Sequence, residues 1–290
     1  MIKNFNNLKE SGIRYGGHAG NKLGVVIDGE NWFLKFPKST KDLLRKVDIS
    51  YNTSPLSEYI GSHIYKSLGI PVHETMLGIK DEKLVVACKD FRKNQIDYRL
   101  DDYNSIKNDY VEGLEKKLES TSSSNPHAIN IDETIIIMNN NPLFNRVAGL
   151  KDRFWDMFIV DALIGNNDRN NGNWGVIVDN RTNETKIAPV FDNGASFNTK
   201  SSDENIEKIL SDKERFKNSA YLSRICAFSI NDKIINPFKY IESLENDECN
   251  KALLRIVPKI DLSKIYDIIN EIPNEYEGIK VISDIRKKYY

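Results

Sequence analysis

The chain has 290 residues, 40% of them hydrophobic, enough for one large domain or two moderate ones, each with a buried core. Lysine and arginine (41) nearly balance aspartate and glutamate (42), so no general field attracts nucleic acid or an anionic membrane. No stretch approaches the roughly eighteen apolar residues of a membrane helix, and the segment Met1 to Asn7 lacks an apolar run of signal-peptide length; the cytoplasm is the expected compartment, with signal-independent export left open.

The first ninety residues predict a small β-rich lobe. Gly16, Gly17, Ala19, Gly20 and Asn21 make a glycine-rich turn whose backbone could lie over a triphosphate, because glycine permits close approach and successive N–H groups form an anion nest. By itself such a hairpin is an ordinary turn. It leads into a strand over 23–27, a turn at Asp28-Gly29-Glu30 and a second strand over 32–36. There Trp32, Leu34 and Phe36 share one face, while Lys35 lies on the other among large apolar neighbours. A lysine so placed needs an anionic partner. Glu58 is the candidate, in the second turn of a helix that starts at Ser54-Pro55 with Ser54 as its cap and closes at Gly69. A strand lysine paired with a glutamate on the next helix is how kinases position the α- and β-phosphates.

Two further strands follow, over 74–79 and 83–88. The second, Leu84 to Cys88, is apolar throughout and predicts a central strand buried on both faces. The chain then breaks at Lys89-Asp90-Phe91, so Val86, Ala87, Cys88 and Lys89 are candidates for a hinge facing an adenine ring. Cys88, Cys226 and Cys249 have none of the paired short spacings of a zinc site and read as thiols in a reducing compartment.

Beyond residue 91 the pattern is mainly helical, with helices expected over 151–164, 204–210, 237–244, 247–256 and 262–270 and loops over 119–126 and 139–142. The helix ending at Ile164 is apolar on most sides, and Asp161 within it predicts a buried carboxylate that accepts hydrogen bonds from groups supporting the next loop. That loop, Gly165 to Asn173, carries Asp168 and, five positions later, Asn173. This is the spacing at which a kinase base and a Mg²⁺-binding asparagine occur. A strand over 174–178, a turn over 179–183 and a return strand over 186–191 then bring Asp192 back beside Asn173 as a second hard oxygen ligand.

Taken together, Ser57-Glu58-Tyr59, Leu68-Gly69-Ile70-Pro71-Val72, Val85 to Phe91, Phe154 to Phe158, Asp168-Arg169, Gly172 to Gly175 and Ile187 to Asp192 resemble the HipA-like protein kinases, and among them the compact CtkA type. The resemblance spans about Tyr15 to Ile268. It implies an α+β, two-lobed kinase-like fold, with an N-lobe over 1–90 and a C-lobe over 91–290. It further implies ATP and Mg²⁺ as cofactors and serine or threonine of a protein as acceptor. Asp168 would be the base, Asn173 and Asp192 the metal ligands, Lys35 the phosphate lysine and Glu58 its partner. The order Asp168-Arg169 departs from the Arg-Asp of ordinary protein kinases, and Asp192-Asn193-Gly194 lacks the phenylalanine of their metal motif. The extra N-terminal subdomain with which HipA toxins contact their antitoxin is missing, which puts such a partner in doubt. A small-molecule or lipid phosphotransferase on a related fold, and a nucleotide-binding pseudokinase, are the alternatives.

Overall fold

A computed structural model describes residues 2–16, 22–41, 49–115 and 128–290, with side chains described throughout except at 111–115. The residues group into two compact units. One comprises Met1–Asp90, Asn193–Leu222 and Ile260–Tyr290, the other Phe91–Asp192 and Ser223–Lys259. The sequence reading draws a single boundary after residue 90; here the later segments 193–222 and 260–290 group with the first ninety residues.

The first unit is built on strands β1 (Lys3–Asn4), β2 (Lys9–Glu10), β3 (Lys22–Ile27), β4 (Glu30–Lys35), β5 (Thr75–Lys80) and β6 (Lys83–Lys89), with helix α1 (Ser54–Ser67) between β4 and β5. They form one sheet in the order β1-β5-β6-β4-β3-β2. Alternation decides its faces: Val25, Ile27, Trp32, Leu34, Val85 and Ala87 point into one buried cluster with Phe5. β6 is central, with Val85 to Cys88 buried, as an uninterrupted apolar strand requires. Helix α1 lays Leu56, Ile60, Ile64 and Tyr65 into the interior. Its cap is Thr53, so the expected cap Ser54 is instead the first helical residue, followed by Pro55, which gives up no needed N–H at that position. Gly69, at φ +75°, reverses the chain after it.

The second unit contains β7 (Tyr98–Asp102), α2 (Tyr103–Glu115), β8 (Ile129–Asn130), α3 (Ile131–Asn140), α4 (Pro142–Arg146), α5 (Leu150–Ile164), β9 (Gly175–Asp179) and β10 (Thr185–Ile187). β10, β9 and β7 form an antiparallel sheet in that order. The return strand stops at Ile187, short of the expected Phe191, because Pro189 has no N–H to continue the ladder. Where a loop is expected over 139–142, α3 ends at Asn140 and α4 begins at Pro142, with Asn141 capping the latter. α5 buries Phe154, Trp155, Met157, Phe158 and Val160 around its circumference, and Gly165, at φ +64°, ends it. Among the described residues no helix is long and apolar enough to cross a membrane.

Candidate active site

The sequence-derived candidates fall into two groups, one in each unit. In the first, Lys35 and Glu58 come together: Lys35 Nζ is 2.6 Å from Glu58 Oε2. Strand β4 supplies the lysine from its less buried face, and α1 presents a wholly buried glutamate. The other carboxylate oxygen, Oε1, is 2.9 Å from His73 Nε2 and accepts the Asn193 backbone N–H at 2.9 Å. Asn193 is fixed in turn by its Nδ2 donating to Ser62 Oγ at 3.1 Å, and by Ser196 Oγ donating back to the Asn193 carbonyl at 2.9 Å. Gly194 passes so close that an added Cβ would lie 3.2 Å from Glu58 Oε2. The glutamate is thus held on both oxygens before any ligand arrives.

Burial alone would raise the Glu58 carboxyl, but the charge of Lys35, then the hydrogen bond and charge of His73, outweigh it and hold it well below the ordinary value of 4.5. A carboxylate that titrates lower when folded stabilises the fold fully above its unfolded value, and that contribution drains away as the pH falls toward the folded value. The loss should therefore begin near pH 4.5 and deepen on further acidification. Urea unfolding followed from about pH 5 to about pH 3 should show a steeper loss for the wild type than for Glu58→Gln. Parallel curves would disprove the assignment.

The expected nucleotide-facing residues are less uniform. Gly17, Ala19, Gly20 and Asn21 lie outside the described residues. Gly16 is described, and its carbonyl accepts a hydrogen bond from Lys22 Nζ at 2.7 Å. Val86, Ala87 and Cys88 depart from the hinge expectation. They have ladder partners on both sides, Lys35, Leu34 and Phe33 in β4 and Leu77, Met76 and Thr75 in β5, so their backbone groups are committed to the sheet. The strand's exit begins one step later. Lys89 N–H donates to the Glu74 carbonyl and Asp90 N–H to the Asn31 carbonyl, each at 2.9 Å.

In the second unit, the loop after α5 is organised by a buried ion pair. Asp161 and Arg169 are both buried; Arg169 Nε donates to Asp161 Oδ2 at 2.8 Å and Nη2 to Oδ1 at 3.1 Å. The remaining terminal nitrogen, Nη1, donates to the Asn173 carbonyl at 3.0 Å and also to the Phe191 carbonyl. One guanidinium therefore ties the helix to the end of the loop and to the residue preceding Asp192. Its planar fork of donors suits this task as a lysine would not. Asn166, also buried, donates to Asp161 Oδ1 and accepts the Asp168 N–H, both at 3.1 Å. Asp161 thus has the buried, loop-supporting place expected for it.

Asp168 itself is exposed, directly before the buried Arg169, so the carboxylate faces solvent from an anchored backbone. Asn173 Nδ2 donates to the Asp168 carbonyl at 2.7 Å, which fixes the amide and leaves Oδ1 as the oxygen to offer a cation. Asp192 adopts φ +62° and is half-buried. An amide oxygen and a carboxylate are the hard donors Mg²⁺ takes, so this set fits the ion. The loop's far end is clamped by aromatic packing: Trp174 stacks on Tyr103 at 4.5 Å and meets Phe154 at 5.3 Å. Gly175 follows because β7 leaves no room, an added Cβ there lying 2.2 Å from the Asp101 carbonyl oxygen.

Sequence reasoning gave no role to Arg169, His73 or Asn193. The inverted Asp-Arg order was the available signal for the first, whereas a lone histidine and an asparagine in a turn carry none.

No family model matches the sequence. The serine/threonine-protein kinase CtkA of Helicobacter pylori strain J99 is 37% identical over 276 residues, covering 95% of this chain and 78% of that protein. Among solved structures, the crystal structure of a Helicobacter pylori proinflammatory kinase, CtkA, matches with a TM-score of 0.84 at 32% identity, over 100% of this chain and 91% of that one. HipA of Shewanella oneidensis MR-1, from a toxin–antitoxin complex with HipB and operator DNA, matches with a TM-score of 0.53 at 15% identity, over 97% of this chain and 65% of that one; at that identity the likeness is one of fold.

Proposed function

The chain belongs to the HipA-like serine/threonine-protein kinases of the CtkA type, and from that premise we propose that Asp168 is the base accepting the proton of a serine or threonine hydroxyl on a protein substrate. Lys35, held by Glu58, binds the α- and β-phosphates of ATP. Asn173 and Asp192 hold Mg²⁺, which when bound neutralises charge on the phosphate oxygens. Gly16 contributes its backbone to the phosphate site. The observation that carries this reading is Arg169, whose bonds to Asp161, to the Asn173 carbonyl and to the Phe191 carbonyl draw together the backbone around the proposed base and metal ligands.

The order of events follows from these placements. Lys35 orients the nucleotide without transferring a proton, because Glu58 keeps the ammonium charged and aimed. Asp168, exposed, is open to an incoming hydroxyl and takes its proton as the oxygen attacks the γ-phosphorus and the bond from that phosphorus to the β-phosphate oxygen breaks, releasing ADP.

Incubation of the protein with labelled ATP, Mg²⁺ and a whole-cell lysate should transfer label to serine or threonine of protein, read by mass spectrometry. Label found only in small molecules or lipid would refute the protein acceptor. Asp192→Ala should weaken Mg-ATP binding as well as turnover, since it removes a metal ligand. Calorimetry in the presence of Mg²⁺ checks this, and unchanged affinity would remove Asp192 from the metal site.

A further inference from the structure

Asn193, whose N–H holds Glu58, opens a segment of the first unit that runs back along α1 and is bonded to it at three levels. Asn193 Nδ2 donates to Ser62 Oγ, Ser57 Oγ donates to the Ser196 carbonyl at 2.8 Å, and Thr53 N–H donates to the Thr199 carbonyl at 3.0 Å. The partners on α1 descend toward its cap while the segment advances, so the segment is a strap laid antiparallel to the helix. Between its last two levels two consecutive residues, Phe197 and Asn198, have φ of +58° and +54°. Asparagine tolerates that conformation, whereas a phenylalanine is strained by it. Backbone strained in this way persists only where neighbours hold it.

Those neighbours come from the helix Asp284–Tyr289 and the residue after it. The Tyr290 ring packs on Phe197 with centroids 5.0 Å apart, and Asn198 Nδ2 donates to the Tyr289 hydroxyl at 3.4 Å. The helix is itself fixed to the chain just beyond the strap by the buried Arg286, whose Nη2 donates to the Ser201 carbonyl at 2.7 Å and to Asp203 Oδ1 at 2.8 Å. Tyr290 also reaches the α1 cap. Its hydroxyl lies 3.1 Å from Thr53 Oγ1, and Thr53 directs its single hydroxyl hydrogen to the Thr199 carbonyl at 3.4 Å, so Tyr290 donates and Thr53 relays. One tyrosine thus meets both the strained residue of the strap and the cap of the helix to which the strap is bonded.

We propose that Tyr290 is a positioning residue for phosphoryl transfer: it holds the strap in its left-handed bend and against the α1 cap, and so sets the place of the Asn193 N–H at the strap's other end. That N–H holds one oxygen of the carboxylate whose other oxygen holds Lys35. Tyr290 acts through Phe197 and Thr53, and loosening it lets the carboxylate and its lysine drift from the aim that ATP requires. The effect on ATP rests on Lys35 being the phosphate lysine; the hold on the strap does not.

Two variants separate holding the strap from stabilising the fold. Tyr290→Phe keeps the ring on Phe197 and removes the donor to Thr53, while Tyr290→Ala removes both. In the ¹⁵N-labelled full chain the Asn193 amide reports on the strap directly, since its proton resonates downfield while bonded to the Glu58 carboxylate. That resonance should move upfield in both variants, further in Tyr290→Ala. The Mg-ATP dissociation constant, from calorimetry on the same folded samples, should rise about twofold in Tyr290→Phe and about fivefold or more in Tyr290→Ala, as first a hydrogen bond and then an aromatic contact is lost. A tyrosine that only stabilises the fold would lower the urea midpoint and leave both readings where they were, a result that overturns the proposal. A moved Asn193 resonance with an unchanged constant overturns the effect on ATP. If the wild type binds no Mg-ATP, the role of Lys35 falls and that effect with it, while the Asn193 resonance still decides the hold on the strap. Should Tyr290→Ala not fold, the Tyr290→Phe readings decide alone.

Discussion

Asp168→Asn should lower phosphoryl transfer by about 10²- to 10⁴-fold, the usual contribution of a positioned general base, while leaving Mg-ATP affinity nearly unchanged. Asparagine keeps the shape but cannot take the hydroxyl proton. Because the side chain is exposed and its backbone is held by Asn166 and Asn173, the change should cost no more than about 0.5 kcal/mol of stability. Single-turnover labelling of a protein substrate, with calorimetry on the same sample, separates the two effects. Transfer at the wild-type rate would remove Asp168 from the mechanism.

Asp161→Ala should have the largest effect on folding. It leaves the Arg169 guanidinium, with no solvent exposure of its side chain, without its countercharge and without both bonds from Nε and Nη2. Breaking a buried pair on one side costs about 3–5 kcal/mol, because the remaining charge is stranded. Urea denaturation monitored by tryptophan fluorescence gives the value, and a loss under about 1 kcal/mol would contradict the role assigned here. Removing both charges, as in Asp161→Leu with Arg169→Met, should recover much of the stability. Activity should stay low in that double variant, since the Arg169 bonds to the Asn173 and Phe191 carbonyls would be gone. The contrast separates holding the fold together from holding the loop in place.

Much of this was legible in the sequence because the parts obey local rules. Lys35 stands out as a charge on an otherwise apolar strand. Pro55 marks the first turn of α1, which fixes where Glu58 lies on it. Asp168 and Asn173 sit between a helix that Gly165 must end and a strand that begins at Gly175. What escaped notice depends on residues distant in the chain. Arg169 beside a loop aspartate reads as a solvated side chain until Asp161, Asn173 and Phe191 are seen to surround it. Strand β7 hides in Tyr98-Arg99-Leu100-Asp101-Asp102 because an edge strand can carry charge and shows little alternation. α3 was missed because Ile135-Ile136-Ile137 is β-branched and favours strand locally. Its helical state is set by the Asn130 side chain, which accepts the Glu133 N–H, and by burial of Ile131, Thr134 and Met138 on one side. The exit of β6 from the sheet escaped notice for a related reason: an apolar run shows that a strand is central but not where its ladder stops.

The two outermost strands of the six-stranded sheet, β1 and β2, are contributed by the same short stretch, Lys3 to Glu10, at opposite ends of the strand order. Each is two residues long and exposed, and both carry lysine, a combination that discourages another chain from adding itself alongside. A single cut near residue 11 would strip both margins at once, baring β5 on one side and β3 on the other. Each has six residues. The earliest part of the chain thus acts as a hem on both borders of the sheet, and losing it would turn a discrete molecule into one able to stack edge to edge with its own copies.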